Sequence, residues 1–156
     1  MSDEPEPGAL PVVAAVSAGG VLGAEARYGL AEAWPHPASG FPWATLVTNV
    51  SGCLLIGVLM VVVTEVLTGR RLVRPFLGAG VLGGFTTFST YVVDVQRAAA
   101  AGHAGLALLY LAVTLVAALA AVWAGSAATH LLVERAAPRR GARGRDGGGG
   151  TAVTGA

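Results

Sequence analysis

Apolar positions in this chain fall into four long blocks, covering residues 11–33, 43–67, 75–96 and 104–133. Each holds roughly 20 residues or more, enough for a helix rising 1.5 Å per residue to cross a hydrocarbon core. The first two blocks are joined by a segment rich in proline and aromatic residues, Trp34-Pro35-His36-Pro37 through Phe41-Pro42-Trp43. Aromatic side chains gather where a helix leaves the membrane. Thr68-Gly69-Arg70-Arg71 closes the second block, and Pro75 suits the first turn of the third. Past Glu134 the chain turns polar and ends in a glycine-rich stretch. The pattern predicts a disordered tail over 1–9, a four-helix transmembrane domain over 10–134, and a disordered Arg/Gly-rich tail over 135–156.

The third block is unusual inside. Its uncharged stretch, 75–93, contains Gly83-Gly84-Phe85-Thr86-Thr87-Phe88-Ser89-Thr90-Tyr91. Adjacent glycines raise the entropic cost of a helix, and hydroxyl side chains compete for its backbone hydrogen bonds. Non-helical backbone at membrane depth survives only where it is buried in protein or lines a polar cavity. A helix broken over Gly83, Gly84, Phe85, Thr86 and Thr87, at mid-membrane, around an ion or substrate site is the expectation.

Composition agrees. Hydrophobic residues make up 54% of the 156, charged residues 12%, and mean hydropathy is +0.66. Soluble domains carry about 25% charge. A net charge of +1 excludes a broad basic surface for nucleic acid. All ten cations are arginine, a composition typical of a bacterial genome rich in G and C. Cys53 is the single cysteine, so no intrachain disulfide can form, and it reads as a small core residue. The acidic start, Asp3, Glu4 and Glu6, does not fit the positive n-region of a secretory signal, so the first apolar block is expected to be retained. Arg70, Arg71, Arg74, Arg135, Arg139, Arg140, Arg143 and Arg145 share one side of a four-span topology, against Arg27 and Arg97 on the other. That bias predicts both termini in the cytoplasm, in a bacterial plasma membrane.

Few residues in the blocks carry chemistry. Asn49 is the single asparagine, and a side-chain amide in hydrocarbon is costly unless paired. It reads either as interhelical glue or as a donor facing a pathway. Thr45, Asn49 and Gly52 share one helix face, a narrow polar stripe suited to a permeation wall. Glu25 reads as interfacial or as a proton-coupling carboxylate, and Arg27 as a partner for a backbone break or for another subunit. Asp94 reads as capping or solvating a half-helix end. His36, His103 and His130 lack metal spacing and read as surface residues. Phe88 and Tyr91 lie three apart, and their ring edges carry partial positive charge. Ring edges plus an amide donor could meet a small anion without the fixed cation that would trap it. Gly80 and Gly84 have the small-xxx-small spacing of close helix contacts. Four helices make a thin bundle, so oligomerisation is expected.

The chain resembles the Fluc (CrcB-type) fluoride channels of bacteria. Four blocks carry the resemblance, over residues 10–133: Gly19-Gly20-Val21-Leu22-Gly23-Ala24-Glu25-Ala26-Arg27-Tyr28; Thr45-Leu46-Val47-Thr48-Asn49-Val50-Ser51-Gly52; the Gly83–Tyr91 stretch; and Tyr110 followed by Thr114. The resemblance implies an all-α membrane protein working as an antiparallel, dual-topology-type dimer with two pores. It implies that Phe88 and Tyr91 form an aromatic box facing fluoride and that Asn49 donates its amide to the ion. Tyr110, Thr114, Ser89 and Thr45 would line a polar track. The carbonyls of Gly83 and Thr86, from both subunits, would hold a structural sodium ion. Tyr91 and Asp94 stand where the family usually has phenylalanine and glutamate. The implied task is passive release of toxic cytoplasmic fluoride, with no enzymatic step.

The arginine bias departs from single-gene members, which insert both ways and form homodimers. It favours a heterodimer with an oppositely oriented homologue. Two rival readings stay open: a proton-coupled small-molecule exporter using Glu25, and a non-conducting subunit that scaffolds its partner's pores.

Overall fold

The computed structural model describes residues 8–66 and 70–136. Helix α1 spans Ala9–Ala33, and α2 spans Trp43–Val61 with a wider, π-wound continuation over Val62–Val66. The third span opens as a π-wound segment, Pro75–Leu82, which runs into the short turn α3, Gly83–Phe85. It resumes as α4, Phe88–Ala100, and α5 covers Ala104–Ala136. Helix is the only regular structure among the described residues. Four helical spans are long and apolar enough to cross a membrane: Ala9–Ala33, Trp43–Val66, Pro75–Ala100 and Ala104–Ala136. Most of the two tails expected to be disordered lies outside the described residues; within those ranges Ala9 begins α1, and Arg135 and Ala136 end α5.

Two tight pairs organise the bundle: α1 against the Pro75–Phe85 half of the third span, and α2 against α5. Burial among apolar neighbours cannot drive helices together inside lipid, so close backbone contact must. Glycine supplies it in both pairs. Gly19 and Gly23 of α1 meet the backbone of the third span, and the spaced pair Gly80 and Gly84 meets Val16, Gly19 and Gly20 in return. On the other side, Gly57 faces the backbone of Val122 and Ser126, while Gly125 faces Leu54 and Val58. Ser126 Oγ adds a hydrogen bond across that seam, to Gly57 O at 3.4 Å. Most of the buried residues are correspondingly small, among them Ala44, Thr45, Thr48, Ala98, Ala107 and Thr114; Val61, Leu82 and Tyr110 are the larger ones. Large apolar side chains such as Leu108, Val116, Leu119 and Trp123 point outward, as a lipid-facing surface requires.

The third span leaves helical geometry at only two of the five residues expected to break it, because Gly83, Gly84 and Phe85 stay helical as Gly84 packs against the Gly20 backbone of α1. Thr86 (φ −73°, ψ 154°) and Thr87 (φ −147°, ψ 120°) are extended. Thr87 caps the restart, its Oγ1 accepting the Thr90 N–H at 3.1 Å. The cap role expected for Asp94 is therefore taken by Thr87. With α4 beginning at Phe88, Asp94 lies well inside the helix and is buried, 3% exposed.

The glycine seam yields a direct test. A Cβ on Gly19 would drive into Phe76 O and stand 2.9 Å from Val81 N, both backbone atoms. Gly19→Ala should lower stability by about 1–3 kcal/mol through overpacking. Gly29 faces open space, so Gly29→Ala should be neutral or stabilising by up to about 1 kcal/mol. Thermal unfolding of the purified protein in detergent separates the two.

Candidate functional site: the interrupted third span and its polar track

The interruption is held from outside by one side chain. Asn49 of α2 donates from Nδ2 to Thr87 O at 2.9 Å, and its Oδ1 accepts the Thr87 N–H at 2.8 Å. Both polar groups of one extended residue are paired with both ends of one amide. The reverse orientation of the amide would set donor against donor, so the pairing also fixes which way Asn49 points. Nδ2 carries two hydrogens, and one remains for another partner.

Several neighbouring groups are satisfied in other ways. Thr86 folds back onto its own helix, with its N–H and hydroxyl both reaching Leu82 O at 2.9 Å. Arg27 donates from Nε to Gly84 O at 3.1 Å, so of its two expected partners it takes the backbone break. In a continuous helix, Gly83 O would accept the Thr87 N–H and Thr86 O the Thr90 N–H. Those donors are diverted, one to Asn49 Oδ1 and the other to Thr87 Oγ1. The carbonyls of Gly83 and Thr86 have thus lost their helical partners. Carbonyl oxygens freed in this way are hard donors suited to a hard cation such as sodium.

A cavity of about 320 Å³ opens beside the interruption. Asn49, Phe88, Tyr91 and Thr114 line it, with Gly52, Thr86 and Thr87 among the other walls. Four of the seven residues expected on the fluoride pathway therefore meet around one space. Phe88 is 79% exposed, and its ring lies 5.9 Å from that of Tyr91, tilted by 50°. The Tyr91 ring lies in turn 5.3 Å from that of Tyr110, tilted by 59°. Phe41, from the loop before α2, stands edge-on to Tyr110 at 5.4 Å. Its place in the aromatic row was not foreseen; sequence marked it only as an interfacial anchor. The hydroxyl that distinguishes Tyr91 from phenylalanine donates to Leu111 O at 2.8 Å and so points to α5.

Tyr110 and Thr114 are the informative pair. Tyr110 is 1% exposed and Thr114 is buried, yet Tyr110 OH and Thr114 Oγ1 are the buried side-chain oxygens without a hydrogen-bond partner among the described residues. An unmet buried hydroxyl costs about 1–3 kcal/mol. These two hydroxyls lie four residues apart on the same face of α5, close to each other and to Thr45, and are donors that a polar guest could meet.

Thr45 and Ser89 sit apart from that cavity. Thr45 is buried and donates from Oγ1 to Asp94 Oδ2 at 2.8 Å, while His36 Nε2 lies 3.8 Å from Asp94 Oδ1. It lines a second cavity, of about 420 Å³, with Glu25, Arg27, Thr48, Thr87 and Thr90. Thr87 borders both spaces. Ser89 is exposed, its Oγ 3.3 Å from Thr87 Oγ1. The stripe of Thr45, Asn49 and Gly52 is thus largely a seat for the third span: Thr45 holds Asp94, Asn49 holds Thr87, and a Cβ on Gly52 would collide with Thr86 Cγ2. Of the other histidines, His130 is half exposed and meets Glu65 at 2.8 Å. No group of three or more His, Cys, Asp or Glu side chains converges on a metal position among the described residues.

Residues 14–126 match the family described as CrcB-like protein, Camphor Resistance (CrcB). The chain belongs to the CrcB-like family. Similar proteins carry a more specific name. Fluoride-specific ion channel FluC 2 of Streptomyces avermitilis is 59% identical over 108 residues, covering 69% of this chain and 68% of the relative. FluC 1 of Streptomyces coelicolor is 59% identical over 113 residues, 72% of this chain and 73% of its own. FluC 2 of Thermobifida fusca is 54% identical over 131 residues, 83% of this chain and 96% of its own. Each of these alignments is long enough that it must take in residues of the interrupted span.

The Thr45–Asp94 contact can be tested without any assay of transport. Thr45→Val strips a buried carboxyl group of its one close donor, and hydrogen bonds to charged groups are worth about 1.5–3 kcal/mol. Thermal unfolding should show a loss of that order for Thr45→Val and a much smaller loss for Thr45→Ser.

Proposed function

We propose that this chain is a subunit of a passive, fluoride-selective channel that releases cytoplasmic fluoride down its electrochemical gradient. The observation that carries the reading is the pair of buried, unpartnered hydroxyls, Tyr110 OH and Thr114 Oγ1, continuing the lane that begins at the cavity of Asn49, Phe88 and Tyr91. Fluoride is small and strongly hydrated, so a path must replace its water with donors. The second Nδ2 hydrogen of Asn49, the hydroxyls of Thr114 and Tyr110, and the electropositive ring edges of Phe88 and Tyr91 supply them. None is a fixed cation, so the ion is met at several weak sites in turn and can leave as well as enter. Thr45 lies against the Tyr110 hydroxyl and can continue the track there, whereas Ser89 extends it only if a partner subunit or a side-chain rotation brings it to the lane. The relatives' name, fluoride-specific ion channel, supports the choice of anion.

The working unit in this proposal is an antiparallel dimer with the interruption at mid-membrane. Phe88 is highly exposed although it lines the cavity at the interruption, which supports a partner against that face. Gly83 and Thr86 carbonyls of both subunits would hold a structural sodium ion, which neutralises the negative ends of the half-helices that stop at the interruption. The excess of arginine on one side supports both termini lying in the cytoplasm and a partner that is an oppositely biased homologue. Numbered FluC 2 and FluC 3 chains in Streptomyces avermitilis show that one organism can hold more than one such chain.

Two experiments test this reading. Liposomes holding the purified chain should release fluoride and retain chloride, as followed with ion-selective electrodes. Phe88→Ile and Thr114→Val should each slow fluoride release by about tenfold or more, the equivalent of at least 1.4 kcal/mol. Glu25→Gln should leave it within about twofold, since Glu25 is exposed in the other cavity. Flux that collapses with Glu25→Gln would support a proton-coupled exporter, and flux unchanged by Phe88→Ile a scaffold subunit. Separately, reporter fusions at the C-terminus should report a single, cytoplasmic orientation. Equal populations of both orientations would contradict the heterodimer.

A further inference from the structure

We infer that Asn49 is a positioning residue: its two-point pairing with the Thr87 backbone is what releases the carbonyls of Gly83 and Thr86 from helical bonding and holds them for a cation. The inference rests on the sodium and fluoride readings above but assigns Asn49 work those readings leave out. Its amide is placed on the fluoride cavity, and the same amide occupies the Thr87 N–H that Gly83 O would otherwise accept. Its other bond, to Thr87 O, fixes the extended conformation that brings Thr87 Oγ1 onto the Thr90 N–H, the donor Thr86 O would otherwise accept. One side chain therefore sets both freed carbonyls, the first by direct capture and the second through the cap. Nothing else described takes both backbone groups of a residue at the interruption. Gly52 permits the approach, since a Cβ there would strike Thr86 and push the third span off α2.

The consequence is linkage. A cation held by those carbonyls stabilises the interrupted conformation, and the interrupted conformation presents Asn49 to the anion cavity. Whatever weakens the pairing must raise the sodium needed to hold the structure, and the coupling runs both ways. A residue that only touched fluoride would not alter the response to sodium.

The test uses the full chain in detergent, with its thermal midpoint followed against sodium chloride at constant ionic strength, N-methylglucamine chloride making up the balance. Wild type and Gly29→Ala, a change into open space, should show the same dependence on sodium. Asn49→Ser, too short to reach Thr87, should need about tenfold more sodium for the same rise, the expected effect of losing two hydrogen bonds. Asn49→Asp, which keeps an acceptor for the Thr87 N–H and loses the donor to Thr87 O, should fall between. Hydrogen exchange of the Thr87 and Thr90 amides supplies an arm independent of sodium: both should exchange at least about tenfold faster in Asn49→Ser than in Gly29→Ala. If Asn49→Ser does not fold, Asn49→Asp carries both readouts, with the sodium curve displaced and the Thr90 amide faster. Variants that keep the wild-type sodium curve and the wild-type exchange rates would overturn the inference. A wild-type midpoint indifferent to sodium would remove the sodium reading while exchange still decides the role of Asn49. Absence of fluoride flux would remove the fluoride reading and touch neither measurement.

Discussion

Inside a bilayer a backbone amide or carbonyl without a partner costs several kcal/mol, because no water is at hand to replace the lost bond. That constraint governs how the third span can leave its helix. At Thr86 and Thr87 the backbone is extended, and the chain meets the demand locally. Asn49 pairs with both groups of Thr87, Thr86 turns back onto Leu82, the Thr87 hydroxyl caps the new helix, and Arg27 takes Gly84 O. The partners come from α1, α2 and the third span itself. The rest of the bundle is arranged to bring them there. The glycine seam lets α1 approach closely enough for Arg27 to reach the span, and Gly52 does the same for α2.

This economy of partners leaves two kinds of group unspent around the same segment. The carbonyls of Gly83 and Thr86 have lost their helical donors and suit a cation. The hydroxyls of Tyr110 and Thr114, with the second hydrogen of Asn49, are donors that suit an anion. A continuous helix would offer neither. The interruption is thus the feature from which both proposed ion sites arise, and Asn49 stands between them. Tyr91 shows how the lane can change chemically without changing its lining: the hydroxyl it has in place of the usual phenylalanine is tied to Leu111 O, so its ring serves the cavity and its oxygen serves packing.

Much of this was legible in the residues. Four apolar blocks became four spans because long uncharged stretches admit little else. The break was expected over residues 83–87, yet Gly83–Phe85 keep helical geometry and only Thr86 and Thr87 leave it; Gly80 and Gly84 serve the expected close contact, against the backbone of α1. What escaped the sequence depends on contacts between distant positions. Thr45 and Asp94 are 49 residues apart, and only the seating of α4 on α2 makes them partners. Asp94 was read as a helix-end group because the restart could not be placed to the residue; with Thr87 as the cap, Asp94 falls inside the helix. Asn49 was legible as an interior amide needing a partner, and its pairing with Thr87 is the interhelical bond one of its two readings expected; its role as a pathway donor belongs to the proposal. The place of Phe41 against Tyr110 had no sequence signal, since an aromatic beside a proline-rich loop reads simply as an anchor.

The central claim is passive conduction of fluoride through a lane of neutral donors. Electrical recording from planar bilayers holding the chain, with a fluoride gradient and then a superimposed proton gradient, tests it most directly. A reversal potential that sits at the Nernst potential of fluoride, and stays there when the pH of one chamber is changed, is the predicted result. A reversal potential that moves with the proton gradient, or follows chloride instead of fluoride, would contradict it.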